Sequence, residues 1–251
     1  MSIKMIFRFM LPLFLGLSIN TVWAQEVDIS FSGCVSKEGT MRFEQPPRLS
    51  QVLQVAAIQE CAYFAGASWR SELAKEAQLK QKQALLAKID LVLNANQDQA
   101  LQSYLQALRQ LIDSQKVTGR IFASLTPLEV DTAARANRKV MSRAYFHFPK
   151  QPQSLLFIGF KYPSIPYAPD WDLNRYVEKN PPLAFTENGW VIVVQPAGAI
   201  ERRKVGLWTH EQFYAAPGAW ILAPVKDAYL PDSAQDFNQQ LARWLATQTI
   251  R

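Results

Sequence analysis

The 251-residue chain is 49% hydrophobic and carries 27 basic against 21 acidic side chains, a net charge of +6. So mild a basic excess is compatible with an anionic polymer or a membrane surface as partner, and equally with ordinary solubility; no nucleic-acid-binding module accompanies it. Two histidines leave little for general acid–base chemistry, and no GxSxG, HExxH or P-loop pattern occurs.

Met1 to Ala24 reads as a secretory signal peptide. Lys4 and Arg8 precede the apolar run Phe9 to Ile19, and Val22-Trp23-Ala24 places small residues at the −3 and −1 positions of a cleavage site after Ala24. The run is too short to span about 30 Å of hydrocarbon comfortably, and no later stretch approaches the ~20 apolar residues of a spanning helix. No cysteine follows the site to take a lipid anchor. Cleavage removes two of the basic residues and leaves a net +4. The chain is therefore expected to be exported into an oxidising compartment.

The mature part opens with alternation at Val27, Ile29 and Phe31, a half-buried strand, then a turn over Gly33 to Gly39 and a returning strand over Thr40 to Glu44. Pro46-Pro47 stops it. Leu49, Val52, Leu53 and Ala56 then fall at helical spacing. Ala62 to Ser68 is expected as a third strand, bent at Gly66. Hairpin, helix, strand is the opening of a β-grasp unit, although the periodicity admits other α+β arrangements. Cys34 and Cys61 both lie here, and two thiols in an oxidising compartment favour a bridge over two separate buried thiols. A metal site is not expected, because His147 and His210 make no ligand spacing with either cysteine.

From Glu72 to Asn94 the chain lacks Gly and Pro and is rich in helix formers. Leu79, Leu86 and Leu93 recur every seven residues, with Leu85, Ile89 and Val92 widening the face. Asn94-Ala95-Asn96 breaks the helix, and Asn96 is placed to cap a second one carrying Leu101, Tyr104, Leu105, Leu108, Leu111 and Ile112 on one stripe. The pair is an antiparallel hairpin, about residues 71–115, expected either to pack on the first sheet or to serve as a docking arm. Strands are expected over Val117 to Ala123 and Ala144 to Phe148, with a short helix and loop between.

Gln151-Pro152-Gln153 divides a first unit (25–150) from a second (151–230). The second starts with a strand over Leu155 to Phe160. The proline-rich Tyr162 to Asp170 reads as loop, and Asp172 to Glu178 as a short helix with Leu173, Tyr176 and Val177 inward. Asn188-Gly189 reads as a tight turn ahead of strands over Trp190 to Val194, Val205 to Trp208 and Trp220 to Val225. The last segment, 231–251, is an amphipathic helix expected to be capped by Ser233, with Phe237, Leu241, Trp244 and Leu245 on one stripe. That stripe suits docking on its own unit, on a partner, or on a membrane surface.

Several of these segments carry a resemblance. VGLWTHEQFYAAPGAWILAPV (205–225) followed by YLPDSAQDFNQQLARWLATQ (229–248) resembles the C-terminal signature of the GfcC-like capsule biosynthesis family. Gly119-Arg120-Ile121, Leu125-Thr126-Pro127 and Phe148-Pro149 ahead of a hydrophobic strand match it further. Many members have Trp-Asn where this chain has Trp208-Thr209, so a role for that Asn does not transfer. The resemblance implies two β-grasp-like units in an α+β fold. It also implies a non-enzymatic periplasmic accessory protein for capsule or exopolysaccharide export, partnered by a surface polysaccharide, an outer-membrane polysaccharide export lipoprotein, or both, and without a cofactor. A polysaccharide hydrolase or lyase, and an adaptor that never touches sugar, stand as alternatives. A glycoside-cleaving carboxylate pair is brought together by the fold and leaves no local spacing to read.

Arg120 opens a strand near the junction of the units, and its planar fork suits a carboxylate or phosphate. A salt bridge holding that junction is the first expectation, and ligand binding the alternative. Trp171, Trp208, Tyr214 and Trp220 form a second candidate set, because sugar faces stack on such rings, as apolar cores also do.

Overall fold

The computed structural model describes residues 26–206 and 212–250. The expected signal peptide and Trp208 lie outside them. Strands β1 (Val27–Gly33), β2 (Gly39–Phe43), β3 (Ser68–Ser71), β4 (Arg120–Ile121) and β5 (Ala144–Phe148) form one sheet in the order β2-β1-β5-β3-β4. β1 and β5 run parallel at its centre, and the other neighbours are antiparallel. Helix α1 (Leu49–Ala56) covers one face. The alternation in β1 decides which face. Val27, Ile29 and Phe31 are buried with Leu49, Val52, Leu53, Phe146 and Phe148, while Asp28, Ser30 and Ser32 point the other way. Cys34 and Cys61 are bridged, with Cα atoms 5.7 Å apart. Closing a loop of that length restricts the unfolded chain by roughly 3 kcal/mol.

The connection from β3 to β4 holds the helical hairpin, α2 (Glu72–Ala95) and α3 (Gln99–Ser114). A short helix α4 (Pro127–Thr132) joins β4 to β5. The second sheet comprises β6 (Ser154–Ile158), β7 (Ser164–Pro166), β8 (Trp190–Val194), β9 (Ile200–Lys204) and β10 (Trp220–Leu222) in the order β7-β6-β10-β8-β9. Its central pair, β6 and β10, is parallel, and its edges are antiparallel. Strand for strand this repeats the first sheet, with α5 (Leu173–Lys179) between its second and third strands. Where the first unit inserts two helices, the second has a tight turn, Gln195 to Ala199.

Helix α6 (Phe237–Thr247) closes the chain. The second sheet is apolar on both faces. Leu155, Phe157, Val191, Val193 and Ile221 meet α5, whereas Ile192, Val194 and Leu222 meet α6 and the hairpin. That explains the unbroken apolar run of β8, which a one-sided strand would not need. The hairpin therefore packs on the second sheet rather than the first. The stripe Phe237, Leu241, Trp244 and Leu245 is fully buried there, so it is not free to lie on a membrane.

Local expectations fail in instructive places. Leu79 is 45% exposed, and the buried stripe of α2 runs through Leu85, Ile89 and Val92. Asp98 caps α3 by accepting from Leu101 N at 2.9 Å, while Asn96 Nδ2 donates back to Val92 O. Phe64–Gly66 is a turn, and the third strand begins only at Ser68. The strand expected over Val117 to Ala123 shrinks to Arg120–Ile121. Ser164–Pro166 is an edge strand in what reads as loop, because an edge position tolerates proline. The strand expected over Val205 to Trp208 falls partly outside the described residues; before it, Ile200–Lys204 forms an edge strand of the second sheet, where its charged residues suit the position. Gly189 is not among the positive-φ glycines, so Asn188-Gly189 makes no tight hairpin. Ser233 lies in a separate turn before α6, whose cap position is Asp236.

Candidate functional site

The candidate residues do not converge. Trp171 packs at 5.2 Å against Tyr176, with the Arg175 guanidinium 4.7 Å from its ring, on the α5 side of the second sheet. Tyr214 is 54% exposed on the segment that runs beside α5, where the preceding Phe213 O accepts from Leu173 N. Arg120 lies on the other side of that sheet, at the end of α6.

Arg120 is only 6% exposed. Gly119 makes its position attainable. Its φ is +70°, and a Cβ there would sit 2.2 Å from Ser71 O. The Gln78 side chain closes on the same backbone, accepting from Gly119 N at 2.8 Å and donating to Arg120 O at 2.9 Å. The guanidinium then donates to three backbone carbonyls: Ala246 and Gln248, each at 3.0 Å, and Pro196. Desolvation lowers its pKa to about 10, which leaves it charged at neutral pH. Arg120 is thus a clamp of first sheet, α6 and β8–β9 turn, with carbonyls in the place of the expected carboxylate.

The clamp fixes the chain after α6. Thr118 Oγ1 donates to Thr247 O at 2.7 Å. Ile250 then wedges between the units. A Cβ at Gly66 would meet its Cδ1 at 2.6 Å, and one at Gly218 (φ +83°) at 3.0 Å. This strap of Gln248 to Ile250 runs between two open hollows and lines both with Gln248 and Thr249.

The first hollow, about 370 Å³, is bounded by Trp220, Leu156, Pro196 and the side-chain amides of Gln115, Gln195 and Gln248. The amides are held in place. Gln115 Oε1 accepts from Trp244 Nε1 at 2.6 Å, Gln195 Oε1 from Ala216 N at 3.2 Å, and Gln248 Nε2 donates to Thr247 Oγ1 at 2.9 Å. A half-buried indole beside fixed amides can take the apolar face and hydroxyls of a sugar ring. The second hollow, about 420 Å³, is bounded by Arg70, Lys75, Lys116, Glu72 and Tyr145. Of the sequence candidates among the described residues, only Trp220 is here. Arg70, Gln115, Lys116 and Gln248 come from β3, the end of α3 and the strap, and no local pattern announces them.

Among the described residues no group of His, Cys, Asp or Glu is arranged to hold a metal ion, and no helix is long and apolar enough to cross a membrane.

Comparison with known proteins places these features in a family. Residues 26–149 match the family model described as Capsule biosynthesis GfcC, N-terminal, and residues 161–250 the one described as Capsule biosynthesis GfcC C-terminal. A relative named as uncharacterized protein YjbG, from Escherichia coli (strain K12), is 27% identical over 192 residues, covering 75% of this chain and 77% of that protein.

Proposed function

From the membership of this chain in the GfcC capsule biosynthesis family, which gives it a role in capsule or polysaccharide biosynthesis, we propose that it acts in the periplasm as a non-catalytic binding protein for the polymer being assembled or exported. The observation that carries this is the hollow walled by Trp220 and three fixed amides beside the strap. Such a site holds a sugar chain by stacking and by hydrogen bonds to hydroxyls, and preorganised amides lose little freedom when they do so. The bridge between Cys34 and Cys61 suits an oxidising compartment. Among the described residues the carboxylate that lines the hollows, Glu72, is engaged by Lys75 at 2.7 Å, in keeping with holding rather than cleaving.

The test is saturation binding of the mature chain to surface polysaccharide purified from the producing strain. Trp220→Leu keeps an apolar contact with the core but removes the stacking face. A stacking contribution of about 1 kcal/mol predicts binding weakened about fivefold, with an unchanged circular dichroism spectrum. If the wild type does not bind the polymer, the adaptor reading replaces this one.

A further inference from the structure

We propose that the hollow formed by Arg70, Lys75, Lys116 and Tyr145 is a subsite for an oxyanion substituent of the polymer, a carboxylate or a phosphate carried on a sugar; this rests on the glycan-binding reading of the neighbouring hollow. The argument is one of uncompensated charge in a built cavity. Three cations and one carboxylate line about 420 Å³ of space. Glu72 is paired with Lys75 at 2.7 Å. Among the described residues, no carboxylate lies within ion-pairing distance of Arg70 or Lys116, so both cations face the hollow without an acidic partner.

Arg70 is the better placed of the two. It stands on β3, where backbone pairing to β5 holds it opposite Tyr145, and its guanidinium carbon lies 6.0 Å from that ring. Its Nε is buried without a hydrogen-bond partner. Its terminal nitrogens are neither buried nor hydrogen-bonded to any described residue, so they can meet an incoming oxyanion in the forked geometry that guanidinium favours. Lys116 adds an exposed ammonium from the end of the hairpin. The strap residues Gln248 and Thr249 line both hollows, so a chain lying across the strap would present a neutral ring to Trp220 and its charged neighbour to Arg70.

The experiment compares three forms of the producing strain's polymer: native, carboxyl-reduced, and dephosphorylated with hydrofluoric acid. Each is titrated against the wild type, Lys116→Gln, the double variant Arg70→Gln/Lys116→Gln, and the control Lys80→Gln, an exposed lysine paired to Glu76. The expected result is a loss of about tenfold in wild-type affinity on one of the two treatments, which also identifies the group. That difference should shrink in Lys116→Gln, vanish in the double variant and persist in Lys80→Gln. Lys116 is exposed, so its substitution keeps the test valid if the double variant folds poorly. Equal binding of all three polymers by the wild type overturns the anionic subsite and leaves the glycan groove standing, as does a preference unchanged in both Arg70 and Lys116 variants. Binding of no form removes the glycan-binding reading itself.

Discussion

Replacing Arg120 by Ala separates the clamp described above from a ligand-binding role. The substitution strands the carbonyls of Ala246, Gln248 and Pro196 at a junction that is otherwise closed. Each buried unsatisfied acceptor costs about 1–3 kcal/mol, and water entering the space left by the side chain recovers part of that. A net loss of about 3–5 kcal/mol is expected. In a chain of this size each kcal/mol moves the melting temperature by about 2–4 °C, so the drop should be roughly 6–20 °C. Arg120→Lys keeps the charge but can reach fewer of the three carbonyls at once, and should fall between the two. The assay is a thermal melt followed by circular dichroism, run beside a urea titration. A drop under about 2 °C in Arg120→Ala, with polymer binding abolished, would refute the clamp and return Arg120 to the ligand site.

Two further outcomes follow from the fold. Ending the chain before Ser233 removes Phe237, Leu241, Trp244 and Leu245 from the core; at about 1.5–3 kcal/mol each, the loss rivals the whole stability of a domain, so the product should be molten or aggregated by near-ultraviolet circular dichroism. A soluble truncated chain with a cooperative melt would show that α6 is dispensable. His147 is held below its ordinary pKa of 6.5, first by burial and then by Arg70. Its unfolded form therefore takes up a proton first as the pH falls. Stability should decline below about pH 6.5, until the folded residue also protonates, and His147→Gln should lack that part of the pH dependence. A His147 resonance titrating at or above 6.5 would contradict the burial argument.

What the sequence made legible was local. The alternation of Val27, Ile29 and Phe31 and the spacing of Leu49, Val52, Leu53 and Ala56 decide their own elements, because each needs only one buried face. What it hid was tertiary. Nothing in α2 announces that its partner is the second sheet, and of the seven-residue recurrence Leu79, Leu86 and Leu93 the last two pack at the margin of the core while Leu79 is left in solvent. The edge strand Ile200–Lys204 was invisible because IERRK has little to bury. Arg120 was recognisable as a junction residue from Gly119 and the strand after it, but its partners are backbone carbonyls, which carry no sequence signature. The two hollows were out of reach for the same reason. They are assembled from β3, the end of α3, β10 and the strap, residues some 180 positions apart held together by the clamp.

The most direct test of the central proposal is hydrogen exchange of the mature chain with and without the strain's own polysaccharide, read residue by residue. Protection is expected at Gln115 and Lys116, at Trp220, and along Gln248 to Ile250, the walls of the two hollows and the strap between them. Protection confined to the α5 side around Trp171 and Arg175, or no change at saturating polymer, would contradict the assignment of the site.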